Sequence, residues 1–388
     1  MASQDYNVYS VKSDVCDAWV AGVRDSEVEY SYGGTRMVPS DFSDEQSEEA
    51  LVRLMFEESH LKNQLINVVL DTDLLVDLED QLPPNYLKSS VGGGRCIMRP
   101  KAQYFDIMQD PTHPEFSKVI SEVFRVIGEH LNTLGGKLKL TPDFGRFEGL
   151  ADELNKFTDQ VLGVRCEIGG CGGKASYTTS GILGGLRSCN VIGGDDKKDR
   201  YTLIGSAGAL GSGVLEYMMG AGYKKLAVCD LVYDNGKPQS PPPLPKLDSE
   251  AGKFTDPCLE RGGTLIMTTY GEEIENSNWE KIPSQTNLML AHNLSLPPGD
   301  AGLELSQKLK DRGVFCLPGQ MLTLGGALTS RMEWFWRQAY PRQDFTEKKP
   351  LAHKVSDRVV GHLVSEIVEL AEKEGKTPYQ AMWDYAGS

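Results

Sequence analysis

Residues 201–230 constrain this chain more than any other stretch. They read as a short apolar strand (TLIG), a glycine-rich turn, a helix over 209–221 and a second apolar strand over 225–231. The turn carries Gly205, Ser206, Gly208, Ala209, Leu210 and Gly211. Glycine is required where backbone must approach a pyrophosphate, and the free N–H groups and dipole of a helix N-terminus attract that anion. The usual spacing is G-x-G-x-x-G. Here the string is S-A-G-A-L-G with Gly205 just ahead of it, so the first glycine is displaced or replaced by Ser206. Asp230 ends the second strand. A carboxylate there accepts hydrogen bonds from ribose hydroxyls and repels a 2′-phosphate, which makes NAD the expected cofactor rather than NADP. A plain βαβ turn with a strand-end aspartate would carry the same string.

The rest of the chain fits the same class. After residue 201, the brief apolar runs GGTLIMTT, NLMLAHN and GVFCLPG alternate with helical patterns, one of them over 304–312 and closed by Gly313. That alternation predicts βαβ units and a parallel sheet. Before it, VEYSY reads as a strand, 44–65 and 116–134 as helices, 81–94 as a loop and 164–185 as a glycine-rich junction. Residues 234–247 form a proline-rich excursion, and 353–373 form an amphipathic helix. The 388 residues suggest two domains. The expected fold is α/β: a substrate and oligomerisation domain at 1–184, a Rossmann dinucleotide-binding domain at 185–335, and a helical segment at 336–388 packing back on the first.

With Lys plus Arg at 40 and Asp plus Glu at 55, the formal charge is −15. Such a chain repels phosphate backbones, which argues against nucleic acid as a partner. No apolar run approaches the roughly 18 residues of a membrane span, so no membrane partner is expected. The N-terminus lacks the basic start and apolar stretch of a signal peptide, which leaves the cytoplasm as the expected location. The eight cysteines are scattered, and CEIGGC has no second Cys/His pair to complete four ligands, so no metal site is expected.

Several ordered segments match one family. They are YGGTRM at 32–37, FEESHLKNQL, VGGGRCIMRP at 91–100, LTPDFGRF, YTTSGILGG, LAHNLSL and GVFCLPGQMLTLGGALTSRMEW. From about Tyr30 onward the chain resembles the glutamate/leucine/phenylalanine/valine dehydrogenases, which oxidatively deaminate amino acids with NAD(P) or run in reverse. The resemblance implies two domains around a cleft and a homo-oligomer. It places Gly33, Gly34, Lys62, Arg95 and Ser330 at the substrate, with Lys62 receiving the α-carboxylate. It makes Asp143 the catalytic aspartate, and it adds Thr178, Asn293 and Thr323 to the cofactor-binding set.

The departures matter chemically. The family activates water with a lysine of lowered pKa, and here that position is Arg95. A guanidinium stays charged and cannot act as a base at neutral pH, although its fork of donors can hold a carboxylate or polarise a carbonyl. Lys88 and Lys101 are the nearby amines that could substitute. About 20 extra residues separate Lys62 from Arg95 relative to the family spacing. Tyr32 stands where glutamate-specific members carry a lysine, and a glutamate side chain would be poorly paired without that cation. Three functions fit: an NAD-dependent dehydrogenase of a small-molecule amino or oxo acid other than glutamate; a repurposed homologue that reduces or condenses an imine or oxo acid; and a non-catalytic NAD-binding subunit.

Overall fold

The computed structural model describes residues 6–24, 28–142, 144, 149–193, 200–223, 225–230, 258–269, 274 and 278–387. Asp143 and the proline-rich excursion lie outside these residues. The chain divides into two compact units, Met1–Lys174 with Ala327–Leu351, and Ala175–Gly326 with Ala352–Ser388.

The first unit is built on a five-stranded sheet of β1 (Tyr6–Lys12), β2 (Cys16–Val23), β3 (Tyr30–Met37), β4 (Val91–Pro100) and β5 (Leu138–Thr141). The order is β1-β2-β4-β3-β5. β2 runs antiparallel to β1 and β4, and β3 runs parallel to β4 and β5. Side chains alternate across this sheet, as the two-residue period of a strand requires. Ala18, Val20, Cys96 and Met98 join the core under helix Phe116–Thr133, whereas Trp19, Ala21 and Ile97 pack with Leu51 and Met55 on the other face.

β4 corrects the loop expected over 81–94, because Gly92, Gly93 and Gly94 all lie inside it. These glycines mark close packing rather than a turn. A Cβ on Gly93 would stand 2.5 Å from His60 Cα, and one on Gly33 would stand 2.6 Å from Ser59 Oγ. The helix expected over 44–65 is three pieces: Asp44–Leu54, opened by a Ser43/Gln46 capping box, then a π turn Met55–His60, then helix Leu61–Leu70.

The second unit holds β6 (Tyr201–Ile204), β7 (Leu226–Cys229), β8 (Thr264–Met267), β9 (Asn287–Leu290) and β10 (Phe315–Leu317). All are parallel, in the order β10-β9-β8-β6-β7. Every residue of β6, β7 and β8 is buried, as expected for a parallel sheet covered on both faces. From β6 the chain winds outward to β7, then crosses back to build β8–β10 on the other side. That reversal is a doubly wound switch point, and ligands of such sheets bind at its carboxyl edge.

The unit boundaries differ from the expected 184/185 and 335/336. Helix Ala175–Ser188 falls in the second unit because its glycines admit helix Lys349–Glu374. A Cβ on Gly181 would stand 2.9 Å from Val360 Cγ2, and one on Gly184 would stand 3.0 Å from the Asp357 carbonyl carbon. The return to the first unit comes earlier than expected, over Ala327–Leu351, and from Ala352 the chain belongs to the second unit. Residue 327 onward is tied into the first unit by Tyr32, whose hydroxyl donates to Ala327 O at 2.8 Å, and by Glu333. The Glu333 carboxylate accepts from the amides of Gly163 at 2.7 Å and Cys171 at 3.1 Å.

Candidate functional site

In the second unit the glycine turn leaves the carboxyl end of β6 at the switch point. Gly205 takes φ +83°, in the left-handed region that favours glycine. Gly208 N donates to Gly205 O at 3.1 Å, and Gly208 caps helix Ala209–Gly220. A Cβ on Gly211 would stand 2.6 Å from Thr268 Oγ1, so Gly211 permits the helix to sit against the sheet. Ala207, Gly208 and Ala209 are exposed and Leu210 is half-buried, leaving the N-terminal turn of the helix open to an anion. The Asp230 carboxylate accepts from Ala207 N at 2.9 Å, which brings the acid to the turn. Ser206 points inward instead: it is 1% exposed and its hydroxyl faces Cys229 O at 3.5 Å, so only its backbone faces the turn.

Beyond β9, Thr323 Oγ1 stands 2.8 Å from Asn293 Oδ1 and 2.7 Å from Gly319 O. The sequence-expected Asn293 and Thr323 are therefore brought together. Thr178 is buried in the first turn of helix Ala175–Ser188. Glycine spacing and an acid at the second strand's end fit a dinucleotide: a bare turn for the pyrophosphate and a carboxylate for ribose hydroxyls.

In the first unit the π turn carries three consecutive buried polar residues, Glu58, Ser59 and His60, against β3 and β4. Gly93 N donates to His60 Nδ1 at 3.3 Å. Arg95 is 1% exposed; its Nη1 donates to Ser59 Oγ at 3.2 Å and its Nη2 lies 3.2 Å from Glu58 Oε2. Arg36 Nη2 stands 3.8 Å from the other Glu58 oxygen. The fork of Arg95, expected to hold a substrate carboxylate, thus already faces a carboxylate of the protein. Glu58 was not foreseen from the sequence, where a polar run in a helical pattern reads as a solvated face.

Lys62 is buried one turn beyond Glu58, at the head of helix Leu61–Leu70. Asn63 and Asn67 hold that helix to β4: Asn63 Nδ2 donates to Gly92 O at 2.7 Å and Asn67 Nδ2 to Val91 O at 3.0 Å. Gly33 and Gly34 pair with Leu140 and Thr141 of β5, and Thr141 Oγ1 donates to Gly33 O at 3.3 Å. Asp143 follows β5 but lies outside the described residues. Lys88 and Lys101 are committed to Glu79 at 3.4 Å and Asp17 at 2.7 Å. Tyr32 is buried with its hydroxyl on Ala327 O, and burial pushes its phenol pKa up. Ser330 is buried next to Arg331 in helix Gly325–Ala339.

No family model matches the chain, and no curated protein matches it in sequence. Solved structures do match in fold. An L-tryptophan dehydrogenase from Nostoc punctiforme aligns over 99% of this chain and 94% of its own, at 14% identity and TM-score 0.63. A Leu-bound hetero-hexameric glutamate dehydrogenase from Thermus thermophilus aligns over 99% and 87%, at 16% identity and TM-score 0.66. A glutamate dehydrogenase from Peptoniphilus asaccharolyticus aligns over 99% and 89%, at 16% identity and TM-score 0.62. The chain has the two-part α/β fold of amino-acid dehydrogenases along its whole length.

Proposed function

We propose that the protein is an NAD-dependent oxidoreductase of an amino acid or the corresponding 2-oxo acid, with a side chain other than that of glutamate. The reading is carried by one observation: the Asp230 carboxylate meets the exposed glycine turn at the switch point of a doubly wound sheet. Gly205, Gly208 and Gly211 would admit the pyrophosphate, and Asp230 would take the ribose hydroxyls. Thr178, Asn293 and Thr323 complete the proposed cofactor set. A bound nicotinamide supplies the hydride acceptor or donor.

In the first unit the proposed substrate residues are Gly33, Gly34, Lys62, Arg95 and Ser330. The ammonium of Lys62 suits an α-carboxylate. Tyr32 brings a hydroxyl already bonded to backbone and no cation, which disfavours a second carboxylate in the side-chain pocket. Asp143 remains the proposed acid–base group. NAD, a small-molecule acid and a cytoplasmic homo-oligomer complete the proposal.

A second reading has its own support. Arg95 is held between Ser59 and Glu58 and cannot accept a proton, so the water-activating lysine of classical deamination has no counterpart at its position. A homologue that reduces an imine or oxo acid without that step fits this arrangement. Purified protein tests both readings. With NAD and a panel of amino acids, the first expects the absorbance band of reduced nicotinamide, and oxo-acid reduction that needs ammonium. Oxidation of NADH by oxo acids without ammonium would favour the second. Silence in both directions would remove both.

A further inference from the structure

Along the π turn Met55–His60, Glu58, Ser59 and His60 are buried in succession against β3 and β4, at 5%, 7% and 5% exposure. The glycines opposite make room for it, since Cβ atoms at Gly33 and Gly93 would strike Ser59 and His60. Gly33 in β3 and Gly93 in β4 thus seat this turn on the strands that carry Arg36 and Arg95.

We propose that Glu58 is the positioning residue of the acid-binding group in the first unit, fixing the Arg95 guanidinium through its carboxylate. The proposal rests on the oxo-acid reading above. Its basis is geometric. Glu58 spans two guanidinium groups, Arg95 at 3.2 Å and Arg36 at 3.8 Å, and Ser59 takes the other Nη of Arg95 at 3.2 Å. Both anchors come from one turn, so the plane of a buried fork is set from one side.

The test uses the full-length chain, the 2-oxo acids pyruvate and phenylpyruvate as probes, and titration calorimetry, with NADH titrated in parallel. Glu58→Gln should weaken oxo-acid binding about ten-fold or more while NADH affinity stays within about two-fold, and Glu58→Asp should recover most of the loss. In turnover, the oxo-acid KM should rise with the NADH KM unchanged. If Glu58→Gln fails to fold, Ser59→Ala, which removes the other anchor of the Arg95 fork, replaces it, and a smaller selective loss in the same direction is expected. Wild-type oxo-acid affinity in either folded variant, or equal loss of oxo acid and NADH, overturns the proposal. Failure of the wild-type protein to bind any probe overturns the oxo-acid reading itself, and is recognised because it appears before any substitution is made.

Discussion

Asp230 Oδ2 accepts a hydrogen bond from the Ala207 amide at 2.9 Å, so the acid at the end of β7 braces the glycine turn that follows β6. The same carboxylate can therefore hold the turn and repel a 2′-phosphate. Asp230→Asn separates these roles, because the amide oxygen still accepts from Ala207 while the charge is gone. NADPH affinity should rise about ten-fold relative to NADH, equal to about 1.4 kcal/mol, with the melting temperature little changed. Calorimetric titration with both nucleotides reads this directly. Parallel weakening of both would mean that Asp230 serves the turn alone.

Gly93 has no room for a side chain because its Cβ would meet backbone, not a movable side-chain tip. Gly93→Ala must push His60 and the π turn away from β4. We expect a loss of about 3 kcal/mol or more, seen as a collapsed urea midpoint or insoluble protein. Gly220→Ala is the matched control: it ends helix Ala209–Gly220 with nothing within 4 Å of its Cβ. There the expected change is a gain of a few tenths of a kcal/mol up to about 1. A mild Gly93→Ala phenotype would contradict the tight seating of the π turn.

The second unit was legible in the sequence because its signals are local. A parallel strand buried on both faces reads as an apolar run, and the turn after β6 needs glycine at fixed offsets. β6 to β10 and the glycine turn accordingly lie where the residues put them. The first unit hid more. Gly92-Gly93-Gly94 has the composition of a loop, yet it is central strand, because each glycine answers a neighbour distant in sequence: Val23 and Ser31 at Gly92, His60 at Gly93 and Leu138 at Gly94. Glu58 was hidden for the same reason. Its partners Arg36 and Arg95 lie on two strands distant in sequence, and no local spacing announces them.

Lys139 gives a pH signature. It lies on β5, partly buried over the Trp334 ring at 5.2 Å, donating to Asp159 O at 3.0 Å and Gln160 Oε1 at 3.2 Å. Burial first, then the Arg337 guanidinium, pull its pKa down to about 8. A folded pKa below the unfolded value of about 10.4 means the unfolded chain holds more protons between pH 8 and 10.4, so this group's contribution to stability rises with pH across that window. Below pH 8 the cost, at most about 3 kcal/mol and less where solvent reaches the amine, opposes folding. The unfolding free energy of wild type relative to Lys139→Met should therefore climb from pH 8 to 10. Buried cysteines and tyrosines titrate in both proteins and cancel in that difference. A flat difference would refute the shift.

Arg331 is the fastener of the stretch between Asn67 and Ser89. Its Nε donates to Tyr86 O at 2.8 Å, its Nη1 to Asn67 Oδ1 at 3.0 Å and its Nη2 to Ser89 O at 2.5 Å. The guanidinium also lies 5.6 Å from the ring centres of Tyr86 and Phe335. Its partners are carbonyl oxygens, and burial lowers its pKa. Arg331→Met removes the side-chain donor from the carbonyls of Tyr86 and Ser89 and one of two donors from Asn67 Oδ1, which also accepts from Val91 N, at about 1–3 kcal/mol for each acceptor that water cannot reach. Arg331→Lys keeps the charge but loses the fork, so it should not rescue. A single melting temperature blends two units, so the sharper measurement is hydrogen exchange. Amides over residues 82–91 should lose protection in both variants, while those of β8 and β9 keep theirs. Unchanged protection over 82–91 would show that packing of Tyr86 alone, without the Arg331 bonds, holds this segment down.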